Sequence, residues 1–265
     1  MKTIIRQEQY GPWAVVTGAS SGIGEEFARQ IAAHGINVVL VARRRALLET
    51  LGEELEREYG VEYKVLSVDL AEDGAHEEIA AATDDLDIGL LVSNAGTGSP
   101  GRFLAAESTE LMATVRLNAV SHLNLTHHFG RRLRERGTGG IVLTGAMGAA
   151  GGLPFMAADS ASKAFVQSLG KALNTEFDGS GVGITVLVTS PTETPIIPRL
   201  GFTARNLPLK PISTEQCVRE TLAALRKGRP TVVPGRKFRI MNALVPESLN
   251  RRMMGSILRT SNGID

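Results

Sequence analysis

The stretch "VVTGASSGIGEEFARQIAAHG", residues 15–35, decides the fold. An apolar run leads into a glycine-rich turn, and the turn opens directly into a helical pattern. Gly18, Gly22 and Gly24 allow the backbone to turn tightly and to approach a pyrophosphate closely. The first N–H groups of the helix and the positive end of its dipole favour that anion. The stretch therefore predicts the phosphate-binding turn of a Rossmann-type dinucleotide fold.

The rest of the chain continues this alternation. Apolar runs that predict strands lie at 13–17, 37–42, 63–68, 88–93, 140–144, 183–188 and 230–233. Helical patterns lie between them at 22–34, 45–59, 73–83, 107–135, 156–178 and 214–227. Such alternation predicts an α/β protein in which about seven parallel strands form a doubly wound sheet flanked by helices. A single Rossmann domain over residues 1–265 suffices for a chain of this length.

Two segments depart from the alternation. Residues 191–212 contain five prolines and no clear period, which predicts a loop that covers the substrate. Residues 238–260 are basic and amphipathic, which predicts a C-terminal helix that packs on the sheet or on another subunit.

Composition excludes several classes of function. Lys plus Arg number 29 and Asp plus Glu number 28, so the net charge of +1 does not favour a nucleic acid partner. Cys217 is the single cysteine, which rules out an internal disulfide and fits a reducing cytoplasm. The sequence has neither a signal-peptide pattern nor a long apolar run, so we expect a cytoplasmic protein without membrane contact. No metal site is predicted.

The end of the second predicted strand, "VVLVARRR" (38–45), bears on the choice of cofactor. A carboxylate that would bind the ribose 2′-hydroxyl of NAD is missing at Ala42. Arg43 follows instead, and its guanidinium suits a 2′-phosphate, so NADP(H) is favoured. Arg44 and Arg45 are expected mainly to solvate the start of the next helix.

Four motifs resemble the short-chain dehydrogenase/reductase family over nearly the whole chain. They are "TGASSGIG" (17–24), "SVDL" (67–70), "SNAG" (93–96) and "RLNAVSHLNL" (116–125). The resemblance implies that Asp69 approaches the adenine and that Asn118 is an active-site asparagine. It also implies homodimers or homotetramers formed through the helices at 107–135 and 156–178. The predicted cofactor-binding residues are Gly18, Ser20, Ser21, Gly22, Ile23, Gly24, Arg43, Asp69, Leu70, Asn94, Ala95, Gly96, Lys163 and Thr194.

The catalytic part of the family pattern is only partly present. The family has a tyrosine four residues before a lysine and a serine thirteen residues before that tyrosine. Lys163 matches the lysine, but Asp159 stands at the tyrosine position and Ala146 at the serine position. The family's frequent "PGPTET" reads "TSPTET" here, at 189–194. The predicted catalytic residues are Asp159, Lys163 and Asn118.

Other side chains offer few substitutes for the missing groups. The three tyrosines all lie at or before residue 63, so a phenol from this chain is not expected at the site. Thr144, Ser160 and Ser162 can each offer a hydroxyl, although a structural role is the simpler interpretation of all three.

Three functional hypotheses remain open. The first is an atypical NADP(H)-dependent reductase that acts on an imine or iminium, an activated alkene or a polarised carbonyl of a small, mainly apolar molecule. The second is a non-redox isomerase, lyase or dehydratase in which Asp159 is the acid or base. The third is a catalytically silent NADP-binding partner subunit. Asp159 itself can be a proton donor, a carboxylate that stabilises a cation, or only a helix cap or a salt-bridge partner of Lys163.

Overall fold

The computed structural model describes residues 4–203 and 206–264. Within these residues, the strands form a seven-stranded parallel sheet in the order β3-β2-β1-β4-β5-β6-β7. The strands are β1 (Trp13–Thr17), β2 (Asn37–Ala42), β3 (Tyr63–Ser67), β4 (Ile88–Ser93), β5 (Gly139–Ala146), β6 (Val182–Thr189) and β7 (Thr231–Val232). The order reverses between β1 and β4, which opens a crevice at the carboxyl ends of these strands. The predicted fold class is confirmed.

Helices cover both faces of the sheet. They are α1 (Gln7–Tyr10), α2 (Gly22–Ala32), α3 (Arg45–Tyr59), α4 (Ala75–Ala82), α5 (Ser108–Val115), α6 (Ser121–Arg136), α7 (Ala157–Glu176), α8 (Ile196–Arg199), α9 (Thr214–Arg226), α10 (Arg236–Leu244) and α11 (Glu247–Ser261). Phe27 of α2 and Leu222 of α9 belong to the core on one face. Phe129 of α6 and Val166 of α7 belong to the core on the other. Strands buried on both faces explain the nearly uninterrupted apolar runs in the sequence.

The helix predicted at 107–135 is interrupted. Residues Arg116–Val120 form a π-helical turn between α5 and α6, and this turn contains Asn118. A π-helical turn adds one residue to the helix and often lies at a functional site. Here it directs a fully buried asparagine towards the cleft region.

The prediction of a single helix at 238–260 is wrong, because two helices occupy this segment. α10 ends at Leu244, and Val245 takes an extended conformation with ψ of 120°. The next residue is Pro246, which cannot continue a helix and disfavours helical geometry in the residue before it. A helical period read across the break concealed the turn between α10 and α11.

The segment 191–212 is only partly irregular. It contains the short helix α8, and Thr192 pairs with Ile212 in a parallel bridge that closes the segment at its base. Ala204 and Arg205 of this segment lie outside the described residues, as do the ends of the predicted domain, 1–3 and 265. In the part of the chain that is described, none of the helices is long and apolar enough to cross a bilayer.

Candidate active site

A cleft of about 550 Å³ opens at the carboxyl ends of β1 and β4. It is lined by thirteen of the fourteen predicted cofactor residues: Gly18, Ser20, Ser21, Gly22, Ile23, Arg43, Asp69, Leu70, Asn94, Ala95, Gly96, Lys163 and Thr194. Gly24 does not line it. A Cβ at this position would lie 2.2 Å from the Gly18 carbonyl oxygen, so Gly24 is packed against the turn. The third glycine of the motif therefore permits helix and turn to pack closely.

The phosphate end of the cleft is shaped by backbone. Gly18 has φ of 69° and Gly22 has φ of 61°, in the left-handed region that glycine adopts without a steric penalty. α2 begins at Gly22, so its first N–H groups face the cleft. A Cβ on Gly22 would lie 3.1 Å from the Thr194 side chain, which brings the loop after β6 over this end.

Two of the three consecutive arginines line the cleft, where sequence reasoning selected one. Arg44 donates to Ser20 Oγ at 2.8 Å and to Ser21 Oγ at 2.9 Å, so it lies over the glycine-rich turn. Arg43 lies 3.5 Å from Asp69 with an exposed guanidinium. Both line the cleft, whereas Arg45 pairs with Glu49 one turn along α3. The expectation that Arg44 only solvates a helix start is wrong, since its bonds to the turn were not visible in the sequence.

The chemical end of the cleft is built on the first turns of α7. Asp159 and Lys163 line it, and each is about nine-tenths buried. Asn118 donates from Nδ2 to Asp159 Oδ1 at 3.2 Å, so this asparagine acts from behind the cleft surface. Lys163 donates from Nζ to the Thr144 carbonyl at 3.3 Å. The other carboxylate oxygen of Asp159, Oδ2, has no hydrogen-bond partner in the described residues.

The structure argues against two structural explanations of Asp159, a helix cap and a salt bridge to Lys163. The residue that caps α7 is Met156, and its side chain makes no capping bond. Asp159 follows within the first turn and does not cap the helix. Within the described part of the chain, no ion pair joins Asp159 to Lys163. A buried carboxyl with one oxygen unpaired points to function rather than to stability.

Burial changes the pKa values of both groups in opposite directions. It raises the pKa of Asp159 from 3.8 to about 6, and the positive charge of Lys163 opposes part of this change. It lowers the pKa of Lys163 from 10.5 to about 8, and Asp159 opposes part of that change. Desolvation dominates in both cases because it disfavours each charged form. Both groups can therefore exchange protons near neutral pH.

Glycines allow the loop after β4 to touch both groups. A Cβ on Gly96 would lie 2.7 Å from Lys163 Nζ, and one on Gly98 would lie 2.6 Å from Asp159 Oδ2. Leu200 and Met156 lie at the same point, within 3.2 Å of that second position. Asp159 Oδ2 is thus enclosed by glycine backbone and apolar side chains, which accounts for its desolvation.

The remaining hydroxyl groups are mostly engaged elsewhere. Ser162 bonds carbonyl oxygens within α7 and does not line the cleft, so its proposed contribution is wrong. Ser160 lines the cleft, but its Oγ accepts from Leu153 N and donates to Ala157 O. Thr144 also lines it and donates to Asn94 Oδ1 at 3.4 Å. Ala146, at the wall of the cleft, offers no polar group.

The substrate side of the cleft is apolar. Its lining includes Leu153, Met156, Ile196, Ile197, Leu200, Phe202, Leu207, Met241 and Met254. Five of these come from the segment 191–212. Met241 of α10 and Met254 of α11 were missed, because an amphipathic tail alone does not show what its apolar face covers. All three tyrosines are among the described residues, and none lines the cleft.

Known proteins resemble this chain in sequence. Residues 12–201 match the family model described as short chain dehydrogenase. The chain is 39% identical over 192 residues to a very-long-chain 3-oxoacyl-CoA reductase of Meyerozyma guilliermondii, covering 68% of this chain and 56% of the relative. The chain therefore spans a little over half the length of this relative. It is 32% identical over 230 residues to a 7β-hydroxysteroid dehydrogenase of Collinsella aerofaciens, covering 83% of this chain and 85% of the relative.

Solved structures extend the similarity to the whole fold. A 7β-hydroxysteroid dehydrogenase structure matches with a TM-score of 0.85 and 30% identity, covering 94% of this chain and 98% of that one. A short-chain dehydrogenase of Sphingobium yanoikuyae, solved in complex with NADPH, matches with a TM-score of 0.79 and 28% identity. That match covers 88% of this chain and 92% of the other.

Proposed function

The chain belongs to the short-chain dehydrogenase family, and we propose that it is an NADP(H)-dependent reductase in which Asp159 transfers the proton that accompanies the hydride. The observation that carries the proposal is the unpaired Oδ2 of Asp159, buried in the cleft beside Lys163. Asp159 stands four residues before Lys163, where the family pattern has its tyrosine. The position of the proton donor is kept, and its chemical group is changed.

The phosphate end supports NADP(H) as the cofactor. Arg43 and Arg44 provide two guanidinium groups beside the turn, and Ala42, the last residue of β2, is not a carboxylate. Guanidinium groups bind phosphate in a fork geometry, so the pair suits the 2′-phosphate that distinguishes NADP from NAD. When bound, NADPH supplies a hydride to an electron-poor carbon of the substrate.

Asp159 must be protonated when the substrate is a carbonyl. A carboxylate about 4 Å from a developing alkoxide would repel it by roughly 4 kcal/mol at an effective dielectric constant of about 20. That energy is on the order of a thousandfold in rate. The raised pKa of Asp159, about 6, makes the neutral acid accessible, and its O–H can then donate to the substrate oxygen.

Asn118 holds this acid in place, and Lys163 acts on it through its charge. The amide of Asn118 fixes Oδ1 of Asp159 and leaves Oδ2 without a hydrogen-bond partner, so Oδ2 is the oxygen proposed to carry the proton. Lys163 keeps part of its donor capacity for the cofactor ribose, since its observed bond is a single one to a carbonyl. Its positive charge also stabilises Asp159 once the proton has left.

The apolar wall supports a mainly apolar substrate with a polarised carbonyl or imine. Two relatives are named for 3-oxoacyl-CoA and for hydroxysteroids, and both kinds of compound combine an apolar body with a carbonyl or hydroxyl group. An apolar pocket closed by Leu200, Phe202 and Met254 would exclude water from the proton donor and so maintain its desolvation.

Exposed apolar residues support assembly into a homodimer or homotetramer. Met112, Val120, Leu123 and Phe165 are each more than two-fifths exposed on the outer faces of α5, the π-helical turn, α6 and α7. These are the helices through which the sequence predicted subunit contacts. Sedimentation analysis of the wild type and of Phe165→Glu tests this: a smaller particle in the variant supports the interface.

The experiment that tests the function follows NADPH oxidation with four probes: a 7-oxosteroid, a 3-oxoacyl-CoA, a cyclic imine and an enone. We expect turnover of at least one probe, and a loss of about a thousandfold in Asp159→Asn with little change in the Kd of NADPH. Asp178→Asn, just beyond the end of α7, is the matched control and should be unaffected. NADPH binding without turnover of any probe would contradict the reductase proposal and favour a non-redox or silent protein.

A further inference from the structure

The loop at residues 93–98 sets the surroundings of both titratable groups. Its cleft-lining members are Asn94, Ala95, Gly96, Thr97 and Gly98. Gly96 abuts Lys163 Nζ, and Gly98 abuts Asp159 Oδ2, each so closely that a methyl group would not fit. A shift of this loop by a few tenths of an ångström would therefore change the contacts of the acid and of the lysine.

A histidine behind the loop clasps it at two points. His122 lies on the first turn of α6 and is fully buried. Its Nδ1 lies 2.9 Å from Ser93 Oγ, and its Nε2 lies 3.1 Å from the carbonyl oxygen of Ala95. A carbonyl can only accept, so Nε2 carries the proton and Nδ1 accepts from the serine hydroxyl. The ring bridges the last residue of β4 and the loop that follows.

The imidazole of His122 has one stable protonation state at this position. Burial and the positive charge of Lys163 lower the pKa of His122 to about 3, against the bond to Ala95, which raises it. The imidazole is therefore neutral throughout the working range of the protein. Both of its nitrogens are occupied and it does not line the cleft, so it is not placed to transfer a proton to a substrate.

Other contacts fix the same loop from neighbouring elements. Asn118, one helical turn before His122, accepts from Thr97 N and donates to Thr97 O, both at 2.9 Å. From β1, Thr17 Oγ1 accepts from Ala95 N at 3.0 Å. The amide of Ala95 is thus bound from the β1 side and its carbonyl from α6, and His122 supplies the second of these bonds.

The carbonyl bond determines how the next residue is presented. In a trans peptide, the oxygen of Ala95 and the N–H of Gly96 point in opposite directions in one plane. Fixing the oxygen against His122 therefore fixes the orientation of the Ala95–Gly96 peptide. Gly96 is held against Lys163 as a result, and Gly98 follows two residues later against Asp159.

We propose that His122 is a positioning residue which, together with Ser93, holds the loop 93–98 in register with Lys163 and Asp159. The expected effect of His122 on cofactor binding rests on the proposed function, whereas the two hydrogen bonds that His122 makes to Ser93 and Ala95 do not. The proposal also explains a departure within "SNAG": Ser93 stands where the related motif has an asparagine, and here the serine hydroxyl bonds the histidine.

The test compares His122→Phe with His128→Phe. The first removes both nitrogen contacts and keeps an aromatic ring in place. The second makes the same change on the same helix, where His128 packs edge-on against Phe129 and its Nε2 has no partner in the described residues. We expect the Kd of NADPH to rise about tenfold in His122→Phe, as one buried hydrogen bond to the loop is lost, and to stay unchanged in His128→Phe.

Two further measurements separate positioning from simple stability. Amide hydrogen exchange at residues 94–98 should accelerate at least about tenfold in His122→Phe. His122→Gln, whose amide reaches as far as Nε2, should restore most of the NADPH affinity, whereas the shorter His122→Asn should not. Ser93→Ala provides a milder variant if the phenylalanine chain does not fold, and it should show the same exchange increase at smaller size.

The outcomes are distinguishable. Wild-type NADPH affinity and wild-type exchange in His122→Phe or, if that chain does not fold, wild-type exchange in Ser93→Ala would overturn the clasp. So would equal losses of affinity in the glutamine and asparagine variants, because they would indicate a role of ring packing alone. If the wild type itself binds no NADPH, the proposed function fails, and the exchange comparison still decides whether His122 holds the loop.

Discussion

The two ends of the cleft are built from different parts of the chain, one from backbone and the other from side chains. The phosphate end consists of backbone: glycines with positive φ at Gly18 and Gly22, and the first turn of α2. The chemical end consists of two buried side chains, Asp159 and Lys163, whose pKa values of about 6 and about 8 lie far closer together than those of the free groups. One end binds charge with fixed dipoles, and the other depends on the desolvation of ionisable groups.

This difference explains why one end could keep its pattern while the other departed from it. Backbone geometry depends on a few glycines: a Cβ on Gly18 or Gly24 would meet backbone atoms, and one on Gly22 would meet the Thr194 side chain. The proton donor needs only an acidic hydrogen at the correct place and a suitable pKa. Burial can bring a carboxyl group to that condition, so Asp159 can occupy a position where a phenol is expected.

The largest expected effect concerns pH at the chemical end. In the proposed function, reduction needs the protonated form of Asp159, whose pKa is about 6. Since half of the acid is protonated at its pKa and about a hundredth two pH units above it, kcat/KM for reduction should fall roughly fiftyfold between about pH 6 and pH 8. Oxidation with NADP+ needs the ionised form and should rise over the same range. Initial rates in both directions, at saturating cofactor, measure this.

The double variant Ala146→Ser, Asp159→Tyr is the control. A phenol, with an ordinary pKa of about 10, stays protonated in this range, so the decline should disappear while ketone reduction persists. A wild-type profile that is flat, or that rises with pH in the reductive direction, would show that Asp159 is not the acid.

The contrast between the ends also decides what the sequence could reveal. The seven strands and the glycine turn follow from apolar runs and from residues whose backbone requirements are local, so their prediction succeeded. The surroundings of the unpaired oxygen of Asp159 depend on Gly98 and Leu200, which are distant from it in sequence and meet it only in the folded chain. Arg44 was misjudged for the same reason, since its partners are the serines of the turn after β1.

A second prediction tests whether the glycine-rich turn at the phosphate end tolerates a side chain at Gly24. Gly24→Ala places a methyl group 2.2 Å from the Gly18 carbonyl oxygen, so the turn must shift. Local strain of about 1–3 kcal/mol corresponds to roughly 10- to 100-fold weaker NADPH binding. Gly101→Ala, where a Cβ has nothing within 4 Å and the backbone does not take a positive φ, is a control for folding. Unchanged NADPH affinity in Gly24→Ala, measured by fluorescence titration, would show that the turn is not the binding element.

A third prediction separates cofactor selection from general affinity. Arg44→Ala should weaken NADPH binding about tenfold, because one charge-assisted contact to the 2′-phosphate is lost, and should leave NADH binding nearly unchanged. Arg45→Ala removes the same side chain from the next position, where it pairs with Glu49 away from the cleft, and should have no effect. Equal weakening of both nucleotides in Arg44→Ala would assign this arginine to the turn rather than to the 2′-phosphate.

The smallest expected effect concerns stability at the chemical end. The pKa of Asp159 is raised from 3.8 in the unfolded chain to about 6 in the folded protein. The folded state therefore binds the proton more tightly, and stability is lost as pH rises from about 4 through about 6. Two pKa units correspond to roughly 3 kcal/mol, an upper limit on the penalty of the ionised carboxyl at neutral pH.

Asp159→Asn removes that penalty and should stabilise the protein. Part of the gain is offset, because Lys163 then loses the charge that favours its ammonium form. We expect a net gain of about 1–2 kcal/mol at pH 7.5, or a rise in Tm of roughly 3–6 °C, that shrinks towards zero near pH 4. Thermal unfolding of the wild type and of Asp159→Asn at pH 7.5 and near pH 4 measures this difference in Tm, with Asp178→Asn as the control. A variant less stable than the wild type at pH 7.5 would mean that Asp159 is retained for structure, whereas a stable but inactive variant shows stability given up for a proton donor.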